Sequence, residues 1–241
     1  MSIISSYHLK YGKIKTKLGE CLMFKKYMEK KFSKRESKEF NRWRAIFQKI
    51  VTHWTLGAYI RCRYKVEVFG KENLEKDKKY IIAANHVSGF DPFILVFALG
   101  MPIAFMAKEQ LFEHFWSRVL MDWCGAFAVN REKLEVSTIK TALAVKNSSW
   151  KLGIFPQGTR DKSSTIKNIS RGFVALAKAS DCNILPVSII KTDGVKKGII
   201  HSGKITIKIG NLIPCGDFQE TMDNWGKAVS ALSGLEYIPS T

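Results

Sequence analysis

The strongest constraint on this chain is a rhythm that begins near residue 64, where short apolar runs alternate with longer segments of helical periodicity. Residues 64–69, 80–84, 103–107, 126–129, 152–155, 184–190 and 205–209 read as strands, and 92–99, 115–124, 133–146 and 171–180 as helices between them. A last segment, 218–235, reads as a closing helix before Pro239. Alternation of this kind implies an α/β sheet covered by helices. The length, 241 residues, leaves room for one such domain and a helical extension.

The stretch 80–107 holds a single charged residue, Asp91, yet it does not read as a membrane span. Spanning needs roughly 20 uninterrupted apolar residues. Here Asn85, His86 and Asp91 interrupt the middle, and Gly100-Met101-Pro102 breaks the end.

Ahead of the alternating region, Trp43, Phe47, Ile50 and Trp54 recur at spacings of four, three and four, one face of a helix flanked by Arg42, Arg44 and Lys49. Leu18, Cys21, Phe24, Met28 and Phe32 form a second, weaker stripe among lysines. Two readings are open for these stripes: packing on the core, or docking on a membrane surface through apolar side chains and basic neighbours. The organisation expected is therefore a basic amphipathic segment over 1–60 and an α/β domain over 61–241.

Charge points to the partner. Lys and Arg exceed Asp and Glu by 39 to 21, a net +18. Residues 1–50, with 14 basic and 4 acidic side chains, supply about +10 of it. A polyanion is implied, whether nucleic acid, anionic lipid or phosphorylated metabolite. The basic segment carries aromatic stripes rather than a helix-turn-helix, zinc-finger or RNP pattern, so nucleic acid is not expected. Five scattered cysteines without a C-x-x-C pair speak against a disulfide framework or a zinc site, and no metal is expected. The N-terminus lacks the apolar core of an export signal, which leads to an expected location at the cytoplasmic face of a membrane, peripheral or monotopic. There is no G-x-S-x-G and no G-x-x-x-x-G-K-[ST], which disfavours a serine hydrolase and a P-loop nucleotidase.

Four stretches carry chemistry. In Ala84-Asn85-His86-Val87-Ser88-Gly89-Phe90-Asp91-Pro92, His and Asp stand five apart just after an apolar strand. A continuous helix would separate them by about 140°. Ser88-Gly89 supplies a turn that lets them meet, and Asp91-Pro92 reads as a helix N-cap followed by proline at the first helical position. An imidazole oriented by a carboxylate is a general base for a hydroxyl. The competing reading is that Asp91 only caps the helix and His86 is structural. Phe155-Pro156-Gln157-Gly158-Thr159-Arg160 follows another strand and offers an Arg fork to an oxyanion, though the same pattern also suits a surface turn. Gly125 to Arg131 places a further Arg at a strand end, and 184–189 holds Pro186 inside an apolar strand, which suggests a sheet edge or a bulge.

In this order the four stretches resemble the blocks of the lysophospholipid and glycerol-phosphate acyltransferase family: NHxxxxD, a strand ending in Arg, FPEGTR and a V-P-V/I strand. Among its members the resemblance points to the 1-acyl-glycerol-3-phosphate acyltransferases. The resemblance covers roughly residues 60–215 and implies a mixed α/β sheet flanked by helices. It implies His86 as general base and Asp91 as its orienting partner. Among substrate-binding residues it implies Arg160 and Arg131 as phosphate ligands, Gly158 as a backbone contact, Gln157 and Thr159 in the same loop, and Asn85 positioning the His turn. Its reaction moves a fatty acyl group from acyl-CoA or acyl carrier protein to the sn-2 hydroxyl of 1-acyl-glycerol 3-phosphate, with no cofactor beyond the thioester donor. The expected partners are therefore an anionic membrane surface, a lysophospholipid acceptor and an acyl thioester. The third block departs from the family, because Gln157 stands where Glu is usual. This keeps open another lysolipid or glycerol 3-phosphate as acceptor, and a catalytically silent membrane module is the reading from a different class.

Overall fold

The structure is a computed structural model that describes residues 25, 27–30, 32–75, 78–129, 135–161, 163, 165–193 and 203–239. Packing divides the chain into two compact units, Met1–Phe32 and Ser33–Thr241. In the first, residues 27–29 are helical and Tyr27 meets Phe32 edge-on with ring centroids 6.0 Å apart. Leu18, Cys21 and Phe24 of the same expected stripe lie outside the described residues. Residues 33–60 belong to the second unit.

The second unit is built on a sheet of β1 (Tyr64–Phe69), β2 (Tyr80–Ala84), β3 (Ile103–Lys108), β4 (Phe127–Val129), β5 (Lys151–Ile154), β7 (Asn183–Asp193) and β8 (Gly203–Ile209). Its order is β1-β8-β7-β2-β5-β3-β4, parallel at every pairing except β7 with β8. Two short strands, β6 (Thr165–Ile166) and β9 (Glu236–Tyr237), pair separately. The helices are α1 (Arg42–Ile50), α2 (Leu56–Arg63), α3 (Asp91–Leu99), α4 (Phe115–Trp123), α5 (Val136–Lys146), α6 (Arg171–Ala179) and α7 (Phe218–Ser233). The fold is thus a mixed α/β sheet flanked by helices.

Strand β2 shows why the sheet needs cover on both sides. Successive side chains point to opposite faces, so Ile81 and Ala83 enter one apolar layer while Tyr80, Ile82 and Ala84 enter the other. The first layer takes Val145 of α5, Phe173 and Leu176 of α6 and Trp225 of α7. The second takes Ile60 of α2 and Ile94 and Leu95 of α3. Trp225 is fully buried and donates its indole N–H to the Ala83 carbonyl at 3.0 Å, which satisfies the one polar atom of a large apolar side chain.

Strand β7 corrects the expectation raised by Pro186. It is neither an edge nor bulged, but lies between β2 and β8 in continuous register. The missing N–H is tolerated because pairing with β8 begins only at Val187, and the Pro186 carbonyl still accepts from Gly210 N–H at 2.9 Å.

The segment before β1 has an inverted burial pattern. Asn41 caps α1 by accepting from Arg44 N–H at 3.1 Å, and a π-helical turn, Val51–Thr55, joins α1 to α2. The polar Gln48 and Thr52 face inward. Gln48 donates to the carbonyls of Ile103 at 2.7 Å and Cys124 at 2.8 Å and accepts from Ile103 N–H at 3.1 Å. The apolar stripe faces outward, with Trp43 75% and Trp54 76% exposed. Packing on the core is therefore not what Trp43, Ile50 and Trp54 do.

Buried charge fastens this segment to α4. Asp122 accepts from Arg35 and from Arg44, each at 2.7 Å, and Arg35 also donates to the Ala126 carbonyl. Removing one partner of a buried pair leaves charge uncompensated. Asp122→Ala is therefore expected to destabilise the fold by about 3 kcal/mol in urea unfolding, whereas a change near zero would mean the arginines find equivalent partners.

Candidate active site

Strands β2, β5, β3 and β4 are parallel neighbours and end on one edge of the sheet, where ligands bind in sheets of this type. His86 follows the end of β2, Phe155–Arg160 follow β5 and Lys108 ends β3. Arg131 follows β4 but lies outside the described residues.

Residues 85–90 turn before α3 begins at Asp91. Asp91 is fully buried, and one of its oxygens, Oδ2, accepts three hydrogen bonds: from Val87 N–H and Ser88 N–H at 2.7 Å each, and from His86 Nδ1 at 2.8 Å. The N-cap expected at Asp91 is corrected here. The cap position is Phe90, no side chain caps α3, and the Asp91 carboxylate bends back over the turn instead of forward along the helix. Because Oδ2 already accepts two backbone N–H groups, a neutral imidazole meets it through Nδ1–H, the tautomer that leaves the lone pair on Nε2.

The turn is held from all sides. Asn85 is buried, and its amide joins β7 twice, accepting from Ile189 N–H at 2.7 Å and donating to the Ile189 carbonyl at 3.0 Å. The His86 N–H donates to Gln157 Oε1 at 3.3 Å, and the His86 carbonyl accepts from Asp161 N–H at 2.8 Å. Thus the Phe155–Asp161 segment grips both sides of the His86 backbone. The imidazole stacks on Phe155 with centroids 4.1 Å apart, and Phe155 stacks on Phe105 at 5.5 Å. Gly153 makes room for this column, since a Cβ there would stand 2.4 Å from the Phe105 ring.

His86 opens on a cavity of about 440 Å³, within the usual range for a small-ligand site. Phe93, Val96, Phe105, Met121, Ile154 and Phe173 give it apolar walls, and buried Gln48, Cys124 and Thr138 line its inner part. Burial pushes the Cys124 thiol up to about 12, so it is a neutral wall group and not a nucleophile. Lys108, Leu111, Gly158 and Arg160 line the same cavity, and Lys108, Leu111 and Arg160 are exposed, which places them at its mouth. Arg160 reaches the His turn, as a Cβ on Gly89 would lie 3.6 Å from its Nη1. Neither Lys108 nor Arg160 has a carboxylate partner among the described residues.

The structure thus brings together His86, Asp91, Gly158 and Arg160, with Asn85 and Gln157 behind them as supports of the turn and not as walls of the cavity. The reason is burial: the amide of Asn85 is bonded at both ends, and Gln157 turns its carbonyl oxygen to the His86 backbone. Thr159 is exposed and does not line the cavity. Gly158 adopts φ of 68°, a conformation that glycine reaches without strain. Sequence reasoning missed Lys108, Phe155 and Gly153. The first was signalled by a charge closing an apolar strand, but the column needs neighbouring strands to be seen. Among the described residues no group of His, Cys, Asp or Glu gathers as a metal site would require.

A family model described as Acyltransferase matches residues 65–190, more than half of the chain, and the protein belongs to that family. The 1-acyl-sn-glycerol-3-phosphate acyltransferase of Bacillus subtilis is 31% identical over 164 residues, covering 68% of this chain and 81% of that protein. The enzyme of the same name from Borreliella burgdorferi is 29% identical over 143 residues, 58% of this chain and 57% of that one. This chain therefore spans less than two thirds of the Borreliella relative. The crystal structure of the 1-acyl-sn-glycerophosphate (LPA) acyltransferase PlsC from Thermotoga maritima has the same fold, with a TM-score of 0.58 at 22% identity over 78% of this chain and 76% of that one.

Asn85→Ala would leave the Ile189 N–H and carbonyl buried without partners. The expected loss is about 2 kcal/mol in thermal or urea unfolding, and an unchanged midpoint would show that the Asn85 clamp is dispensable.

Proposed function

We propose that the protein transfers a fatty acyl group from a thioester, acyl-CoA or acyl carrier protein, to the sn-2 hydroxyl of 1-acyl-glycerol 3-phosphate, yielding phosphatidic acid. The observation that carries this reading is an Asp-oriented imidazole on an apolar cavity whose mouth holds two basic side chains without carboxylate partners among the described residues. The names of the relatives in Bacillus and Borreliella support the same acceptor.

In this mechanism His86 Nε2 removes the proton of the acceptor hydroxyl as its oxygen attacks the thioester carbonyl. The C–O ester bond forms, the C–S bond breaks, and the imidazolium, stabilised by Asp91, returns the proton to the departing thiolate. No acyl-enzyme is needed. Arg160 and Lys108 hold the acceptor phosphate at the mouth, and the apolar cavity takes acyl chain while limiting water that would hydrolyse the thioester. The reaction proceeds at the cytoplasmic face of a membrane. Docking is supported by the outward Trp43, Ile50 and Trp54 of the basic N-terminal region and by the net charge of +18. No helix among the described residues is long and apolar enough to cross a membrane. Gln157 favours one second reading, acylation of another lysolipid or of glycerol 3-phosphate. It keeps the acceptor oxygen for His86 N–H but brings no negative charge beside the basic mouth.

The test is thiol release from acyl-CoA or acyl carrier protein with and without lysophosphatidic acid. Wild type should show acceptor-dependent release, and His86→Ala should lower it by about 10³-fold or more. Release by the variant at wild-type rates would refute the His-based mechanism, and preference for a different head group would move the acceptor to the second reading. Arg160→Ala should raise KM for the phosphorylated acceptor by about tenfold with little change in KM for the donor. Equal effects on both would make the loop structural.

A further inference from the structure

Helix α4 is built the wrong way round for a helix in water. Two of its nine residues are charged, and both are turned inward: Arg118, 8% exposed, donates to the Phe112 carbonyl at 2.8 Å, and Asp122, 3% exposed, holds Arg35 and Arg44. Its tryptophans are turned outward, Trp116 80% and Trp123 43% exposed. Seven residues apart, they lie on one side of the helix. A surface helix in water shows the opposite pattern.

We propose that the outer face of α4 is a second membrane-docking element beside α1, and that it inserts Trp116 and Trp123 into the interface of an anionic bilayer. The inference deepens the membrane-surface reading above and rests on it. Three observations select lipid as the occupant. The α4 face is continuous with the outward face of α1, since Phe47 meets Trp123 with centroids 5.5 Å apart and Arg44 lies over the same indole at 5.6 Å. Tryptophan is the side chain that membrane interfaces favour. Exposed Arg42 and Lys49 flank the apolar residues of α1, and the chain carries +18, which attracts anionic lipid and repels a second copy. The helix also follows directly on the segment whose Leu111 walls the cavity, so the proposed docking face adjoins the mouth of the site.

The experiment uses the full chain with vesicles of phosphatidylcholine and phosphatidylglycerol, some carrying brominated acyl chains. A W43F/W54F/W123F variant keeps Trp116 as the exposed fluorophore beside the buried Trp150 and Trp225. Its exposed emission should be quenched by the bromolipid, and W116S/W123S should lower vesicle partition about tenfold while remaining folded at the assay temperature. W116S alone, which leaves the Phe47 contact intact, should lower it by a smaller factor. Unquenched Trp116 and unchanged partition of W116S/W123S, with partition lost in W43S/W54S, would overturn the α4 proposal and leave docking by α1 standing. Failure of wild type to bind vesicles at all would overturn both. A dimer in sedimentation that W116S/W123S disperses, with Trp116 unquenched, would assign the face to a second copy and overturn the proposal.

Discussion

Everything at the site depends on one carboxylate oxygen. Asp91 Oδ2 receives two backbone N–H groups and the Nδ1 of His86 within 2.7–2.8 Å, in a place where the residue has no contact with water. Burying a carboxylate is costly unless hydrogen bonds compensate it, and here two peptide donors compensate Oδ2 whatever the imidazole does, while Oδ1 is buried without a hydrogen-bond partner among the described residues. The carboxylate is thereby fixed before the histidine is considered. Its position defines the tautomer of His86, and with it which ring nitrogen meets the cavity. The same bonds explain why a His and an Asp five residues apart can work together: the chain between them folds over the carboxylate that it feeds.

The rest of the fold supplies rigidity to that turn. Strand β2 is central and wholly buried, so the turn hangs from an immobile support. Asn85 ties its start to β7, and the segment after β5 grips the His86 peptide from the other side. The column of Phe105, Phe155 and His86 sets the ring plane, and it exists because Gly153 lacks the Cβ that would occupy the space of Phe105. Gln157 fits this picture in place of Glu. The contact needs an acceptor oxygen, which either side chain has, so the geometry of the turn survives while the charge beside it changes.

Much of this was legible in the sequence, and the failures have physical reasons. β1 and β2 begin and end where the apolar runs do, with Gly70 after β1 and Asn85 after β2, and α3 stops at Gly100, which takes φ of 67°. The His86–Asp91 pair was legible from spacing, with Ser88-Gly89 and Pro92 marking the turn and the helix start. Asp91 as a cap was misread, because local rules place a carboxylate on the next amides of a helix and cannot see that those of Val87 and Ser88 are nearer. Pro186 was misread as an edge, since pairing with β8 ends beside it in a way only register reveals. The stripe at Trp43, Ile50 and Trp54 was legible as a face but not as an outward one. Periodicity gives the side of a helix, and what decides the direction is the bonding of Gln48 to β3, some 55 residues away. Helix α4 was legible as a helix, while its inversion depends on Arg35 and Arg44 reaching Asp122.

The most direct test of the central claim is ¹⁵N NMR of the histidine ring nitrogens in wild type and in Asp91→Asn at neutral or higher pH. The account predicts that neutral His86 carries its proton on Nδ1 in both proteins. In the variant the amide oxygen should take the place of Oδ2, because two backbone N–H groups still point there, and turnover should fall through lost charge with the tautomer preserved. A wild-type His86 protonated on Nε2 would contradict the account outright, since the nitrogen facing the cavity would then have no lone pair with which to act as a base.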